Sequence, residues 1–395
     1  MNISKTLTVL LAALLWVGTT ARAGSRWEGT WATAPEFTGP GDMPKTTLAG
    51  RAIRQVIQVS MGGETLRMQL SNHFGDSPVD IAAVYIAPVT QAPGIDARAA
   101  RYLSFSHKRS VTIAGGADLY SDPMKYALKA GQRLAVTVVY GKQVPQHATS
   151  HRGSRTTSYI VAGKGLPKAD FSKGERVDHW YNITRLEVLA EEPHEVVAVL
   201  GNSITDGRGS TTNAQNRWTD FMAKALNSNG KTTGVLNLGI GGNCVVSGGL
   251  SEPAVKRFDR DILSQSHIDK LIIFEGTNDI GCCGGNYEAK ARDIINAYKA
   301  LIAKAHAKGI KVYGGTITPT KGNAWFSFFH EAMRQTVNEW IRKPGNFDGV
   351  VDFDQLVRDP ADHERLNADY SDDWLHLNPK GYETMGAFAA KCINP

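Results

Sequence analysis

The sequence predicts two architectures in series: an all-β sandwich or jelly roll, then a doubly wound α/β domain on a parallel five-stranded sheet. Two textures of hydrophobic patterning, and a charged, proline-containing break between them, carry this expectation. Residues 24 to about 189 hold many short runs rich in Val, Ile, Thr and Tyr, separated by Gly, Pro, Asn and Asp. IRQVIQVSM (53–61), ETLRMQLSN (64–72), VDIAAVYIAPV (79–89), RLAVTVVYG (133–141), TTSYIVAG (156–163) and RLEVLA (185–190) are the clearest. Short strands at such spacing indicate antiparallel sheets packed face to face.

From Val196 the texture changes. VVAVLG (196–201), GVLNLG (234–239), KLIIFEG (270–276), KVYGGTIT (311–318) and GVVDFD (349–354) are nearly continuous apolar runs. That is the pattern of parallel strands covered on both faces. Between them, helices are expected over Arg217–Leu226, Pro253–Leu263, Tyr287–Ala307 and Phe326–Ile341. A last helix is expected after Pro379, because proline suits the first helical turn. The break is AEEPHE (Ala190–Glu195), which places the β-rich domain at 24–192 and the α/β domain at 193–395.

Composition excludes several classes. With 42% hydrophobic and 21% charged residues, the 395-residue chain is globular rather than disordered. Its net charge of +6 is spread along the chain, without the Lys/Arg run of a nucleic-acid binder. Residues 1–23 begin with Lys5 in a polar start, continue through apolar Leu7–Val17, and end in Ala21-Arg22-Ala23. This is the pattern of a secretory signal peptide, too short for a comfortable membrane span. The mature chain is therefore expected to be secreted or periplasmic, with no membrane span. Its oligomeric state is not legible in the sequence.

Four cysteines, Cys244, Cys282, Cys283 and Cys392, lack any C-x-x-C pair, so a zinc site is not expected. In an exported chain an even count favours disulfides. The expected bridge joins Cys244 to one of Cys282 and Cys283, leaving Cys392 to the other; a vicinal Cys282–Cys283 bridge and free buried thiols are the alternatives.

Open α/β sheets bind ligands at the C-terminal ends of their strands. There the chain places Asn202-Ser203, then Gly241-Gly242-Asn243, then Gly276-Thr277-Asn278-Asp279, and finally Asp373-Trp374-Leu375-His376. Serine needs a base to become a nucleophile. His376 is suited to that role, and a carboxylate three residues earlier, Asp373, can fix its tautomer, with Asp372 as fallback. An acyl-transfer reaction also needs donors for its oxyanion. The Ser203 N–H, the Gly242 N–H and the Asn278 side-chain amide supply three. The competing reading makes Ser203 and Thr205 helix caps, with glycines holding a phosphate; it gives Asn278 and His376 no part.

These blocks resemble those of the SGNH hydrolases, the GDSL esterases and lipases, in which G-D-S, a glycine, G-x-N-D and D-x-x-H follow in order. The resemblance covers about half the chain, from Val196 onward, and LRMQLSNHFG (66–75) is loosely similar to the β-rich leading domain of some secreted members. It implies a serine esterase with Ser203 as nucleophile, His376 as base, Asp373 as orienter, and Ser203, Gly242 and Asn278 as the oxyanion hole. It implies no cofactor, and esters with short acyl groups, acetylated polysaccharide among them. An acyltransferase, or a lipase or aryl esterase on non-carbohydrate esters, stands as the alternative. The departure is Asn202, where the family carries aspartate. Asn202, Asp279, Trp374, Asn72 and His151 are the candidate substrate contacts. His147 and Trp180 lie in the same predicted loops as His151, and no metal site is proposed there.

Overall fold

The computed structural model of the chain describes residues 24–228 and 230–394. Residues 1–23, read above as an export signal, lie outside the described residues.

The β-rich region folds as two antiparallel sheets with one shared core. In the first, Arg26–Ala32, Ile183–Ala190 and Gly63–Ser71 lie side by side, and Asp118–Tyr120 and Met124–Leu128 both pair with Gly63–Ser71. The second has seven strands, with Arg51–Gln58, Arg133–Tyr140 and Val79–Pro88 at its centre. Alternation explains the packing: Leu66, Met68 and Leu70 point inward from one strand and meet Ile53, Ile57, Val84 and Val136 of the other sheet. A third, three-stranded sheet joins Glu36–Thr38, Ala148–His151 and Trp180–Tyr181, and it leads towards the second domain.

The second domain holds five parallel strands: β1 (Glu195–Gly201), β2 (Thr233–Gly239), β3 (Lys270–Phe274), β4 (Lys311–Gly315) and β5 (Gly349–Val351), in the order β2-β1-β3-β4-β5. Their apolar runs are continuous because each face has its own core. Val196, Ala198 and Leu200 point to one side, Val197 and Val199 to the other. The helices are α1 (Ser203–Asp206), α2 (Trp218–Leu226), α3 (Ala254–Phe258), α4 (Thr277–Gly281), α5 (Tyr287–His306), α6 (Phe328–Arg342), α7 (Phe353–Val357) and α8 (Pro379–Ile393). A π-type turn, Asp259–Leu263, prolongs α3. Helices α2 and α8 cover one face of the sheet, and α3, α5 and α6 the other. After β1 the chain turns to β2, then crosses back to β3. The crevice of this sheet therefore opens at the end of β1.

The domains meet along strand edges. Gly29 packs on Leu236, Ser60 Oγ accepts the Val235 N–H at 2.9 Å, and Ala32 and Ala34 join the α/β core.

The expected disulfides are absent: all four thiols are free. Cys392 sits near the end of α8, where Lys270 Nζ, from the first residue of β3, donates to Ile393 O. That is the rim opposite Cys282 and Cys283, which follow the far end of β3, so Cys392 has no reachable partner there. Cys283 Sγ instead donates to Gly285 O at 3.0 Å, and burial pushes the Cys244 thiol well up.

Helices α2 and α8 approach closely at Gly386. A Cβ there would lie 2.4 Å from Trp218 O and 2.6 Å from Phe221 Cβ. Gly386→Ala should therefore cost about 1–3 kcal/mol in denaturant unfolding, the usual range for overpacking. Gly284→Ala, at a site with nothing within 4 Å, should cost much less.

Candidate active site

The end of β1 becomes a tight turn through local capping. Asn202 closes the strand, and its Oδ1 accepts the Ile204 N–H at 3.0 Å, so α1 starts on Ser203. Ser203 faces the loop after β5, in which Asp373 folds back on His376. Asp373 Oδ1 accepts the backbone N–H groups of Leu375 and His376 at 3.0 and 2.7 Å. Asp373 Oδ2 lies 2.7 Å from His376 Nδ1. A carboxylate only accepts, so Nδ1 carries the proton and Nε2 is left to accept from Ser203 Oγ, 2.9 Å away. Asp372 is exposed and takes no part.

Burial sets the electrostatics. It holds His376 below the ordinary imidazole value against the opposing pull of Asp373, and Arg208 and Arg155 push the same way as burial. Burial would raise Asp373, but its hydrogen bonds from His376 outweigh that and leave its carboxyl below the usual range.

Gly242 and Asn278 border the same cleft as Ser203 and His376. Gly242 adopts φ +69°, which favours glycine, and its carbonyl accepts the Leu250 N–H at 3.1 Å. Asn278 Nδ2 donates to Asn243 O at 2.7 Å, which orients the amide and leaves its second proton for a ligand. The cleft measures about 650 Å³. One wall is Ala324, Trp325 and Asn323, whose Nδ2 donates to Asp373 O at 2.9 Å. The other is Glu36, Asp42, Arg152 and Arg155, all from the β-rich domain. Neither wall was legible in the sequence, because nothing local marks these residues.

The other expected substrate contacts do not line this cleft. Asn72 is fully buried in the β-rich domain and donates to Ser77 O, Ile113 O and Ala114 O. Asp279 turns away, accepting the N–H groups of Val245 and Val246 at 2.7 and 3.0 Å, so it braces the loop of Gly242 instead. Trp374 has its ring against Arg365, at 4.2 Å, and packs beside Gly322. His151 is buried beneath the Ser203 turn, where Nε2 meets Asp206 Oδ1 at 2.9 Å. His147 packs against Phe37 with its ring tilted, and Trp180 is core, donating to Val56 O.

Asn202 is also fully buried, under the turn rather than in the cleft. Its amide nitrogen faces the buried Glu275 carboxyl, whose charged form it favours. Burial still raises Glu275 well above the usual range, and Arg257, 3.5 Å away, only partly offsets this.

Set beside known proteins, residues 199–384 match the model of the GDSL-like lipase/acylhydrolase family. Residues 199–384 thus form a domain of that family, with a β-rich region ahead of it, and the protein is a carboxylic ester hydrolase. No curated protein matches it. Among solved structures, it resembles a GDSL-like lipase from Bacteroides thetaiotaomicron at 22% identity, covering 50% of this chain and 86% of that one, with a TM-score of 0.38. A lipolytic protein of the G-D-S-L family from Desulfitobacterium hafniense is 21% identical, with coverage of 50% and 99% and a TM-score of 0.40. An acetyl-xylooligosaccharide esterase from a Geobacillus is 17% identical, with coverage of 51% and 94% and a TM-score of 0.39.

Asn202→Asp would set a second carboxyl against Glu275. A carboxyl with a raised folded pKa binds its proton more tightly folded than unfolded, so its stability contribution is lost as pH rises above the unfolded value, about 4.3 for Glu. The variant should melt near the wild-type temperature at about pH 5 and clearly below it at about pH 8, as read by thermal scans.

Proposed function

We propose that this esterase is exported and cleaves short acyl esters, acetyl groups on polysaccharide among them, through Ser203, His376 and Asp373. The observation that carries the mechanism is the unbroken hydrogen-bonded chain from Ser203 Oγ through His376 to Asp373 on the floor of an open cleft. Ser203 Oγ attacks the ester carbonyl while His376 Nε2 takes its proton. Asp373 stabilises the resulting imidazolium. The Ser203 and Gly242 N–H groups and the Asn278 amide hold the oxyanion. His376 then protonates the departing alcohol, and water, activated by the same histidine, releases the acid and frees Ser203.

Three features support the substrate class. Most of the residues lining the cleft are polar or charged. Among the described residues no helix lies over it as a lid, and Leu250, at 69% exposed, is the most exposed large apolar side chain of its lining. A polar alcohol such as a sugar fits this lining better than a long acyl chain does. The composition of residues 1–23 supports export.

Ser203→Ala should lower kcat for a short acyl aryl ester by about 10³-fold or more, and near wild-type turnover would sink the mechanism. A panel of acetyl to octanoyl esters should show kcat/KM falling with acyl length. The pH profile follows from His376. Only its neutral form accepts a proton, and its pKa lies below the ordinary value. Activity should therefore hold down through about pH 6.5 and fall only on further acidification. An acid limb centred above that value would contradict the assignment.

A further inference from the structure

We propose that the segment His151–Arg155 of the β-rich domain is a working part of the active site, with His151, Arg152 and Arg155 positioning the nucleophile turn and the oxyanion loop. The inference rests on the triad reading above. It adds that part of the site's rigidity comes from the other domain.

Asp206, the last residue of α1, is held from both sides. His151 Nε2 donates to its Oδ1 at 2.9 Å, and Arg155 donates to its Oδ2 at 2.8 Å. His151 Nδ1 faces Ala34 O at 2.9 Å. A carbonyl and a carboxylate both only accept, so both ring nitrogens donate and His151 is an imidazolium. Burial opposes that charge, and Asp206 with Glu36 and the Ala34 carbonyl together outweigh it. The approach is close enough that a Cβ on Gly153 would lie 1.8 Å from Asp206 Oδ2. Next to it, Asn213 N–H donates to Arg155 O at 2.9 Å, Thr157 N–H donates to Asn213 Oδ1 at 2.8 Å, and Arg217 reaches Ser154 O.

The same segment reaches the oxyanion loop. Arg152 pairs with Glu36 at 2.7 Å and donates to Leu250 O and Ser251 Oγ, each at 3.0 Å. Leu250 is the residue whose N–H binds Gly242 O. Two adjacent arms from one loop thus fix Ser203 and Gly242 relative to each other. A misplacement of about 1 Å between nucleophile and oxyanion donors costs about 10²-fold in rate.

The test uses the full chain and two readouts: the rate at which a fluorophosphonate labels Ser203, and the pH dependence of kcat/KM. The groups acting on His376 are Asp373 from its own loop, Arg208 after α1 and Arg155 from the β-rich domain, with Tyr382 of α8 close to Asp373 and Arg155. Arg155→Gln should slow labelling and kcat about tenfold. It should also shift the acid limb to higher pH, because a cation that disfavours protonated His376 is gone. Arg155→Lys keeps the charge, so the limb should return while labelling recovers only in part. Arg152→Gln, a partly exposed position, should slow labelling about threefold without moving the limb. It carries the test with Arg155→Lys if Arg155→Gln does not fold. Folded variants that label at the wild-type rate with unmoved limbs would overturn the proposal. Ser203→Ala keeps the two questions apart: if it still labels, the triad reading fails, whereas if it is inert and the arginine variants are normal, only the clasp fails.

Discussion

The site depends on the alignment of parallel strands. Because β1 pairs in register with both β2 and β3, Gly201 lies level with Gly239 on one side and Phe274 on the other. The three loops that follow therefore leave the sheet at one height and on one rim. Ser203, Gly242 and Asn278 become neighbours through backbone hydrogen bonding alone, before any side chain among them interacts. His376, 173 residues beyond Ser203, is delivered to the same rim after β5. One interaction, the parallel ladder, thus replaces many specific contacts that would otherwise be needed to gather these residues.

What the ladder leaves undone is finished by buried charge. Asp206, His151, Glu36, Arg257, Asp261 and Glu275 are all nearly or wholly inaccessible. Each isolated charge would be prohibitively costly there, and breaking one such pair typically costs about 3–5 kcal/mol. Most are paired in full: Arg257 donates to Asp261 Oδ2 at 3.0 Å and also to Asn243 Oδ1, Leu238 O and Gly201 O. Glu275 is the exception, with one oxygen lacking a strict partner. Asparagine at position 202 is intelligible in that setting. Its amide oxygen caps α1 as a carboxylate would, and the neutral amide sets no second buried carboxyl beside Glu275.

The fold was largely legible, and for a physical reason. Strands covered on both faces must be apolar throughout, so β1 to β5 stand out as runs. The long helices α5 and α6 were placed within two residues of their ends by period, and the start of α8 by Pro379. The pairing of blocks in order was legible because strand ends carry chemistry in such sheets. Short strands such as Asp118–Tyr120 were not, since three residues carry no periodicity. Nor were the roles of His151, Arg155, Asn72 and Trp374. Whether a loop residue faces a cleft, a core or another domain is decided by packing between distant segments, which leaves no local mark. The expected disulfide failed similarly: even cysteine counts speak to compartment, while the opposite ends of one sheet keep Cys392 from the rest.

The order in which the parts lie along the chain has a consequence during synthesis. The clasp around Asp206 and the nucleophile turn are complete once β2 and β3 have formed, but Asp373 and His376 lie behind every strand of the sheet. A growing chain stopped at any point before residue 376 carries a braced serine with no base beside it. On the proposed triad, hydrolytic competence would then be the last property acquired, gained when the final loop docks and α8 packs against α2.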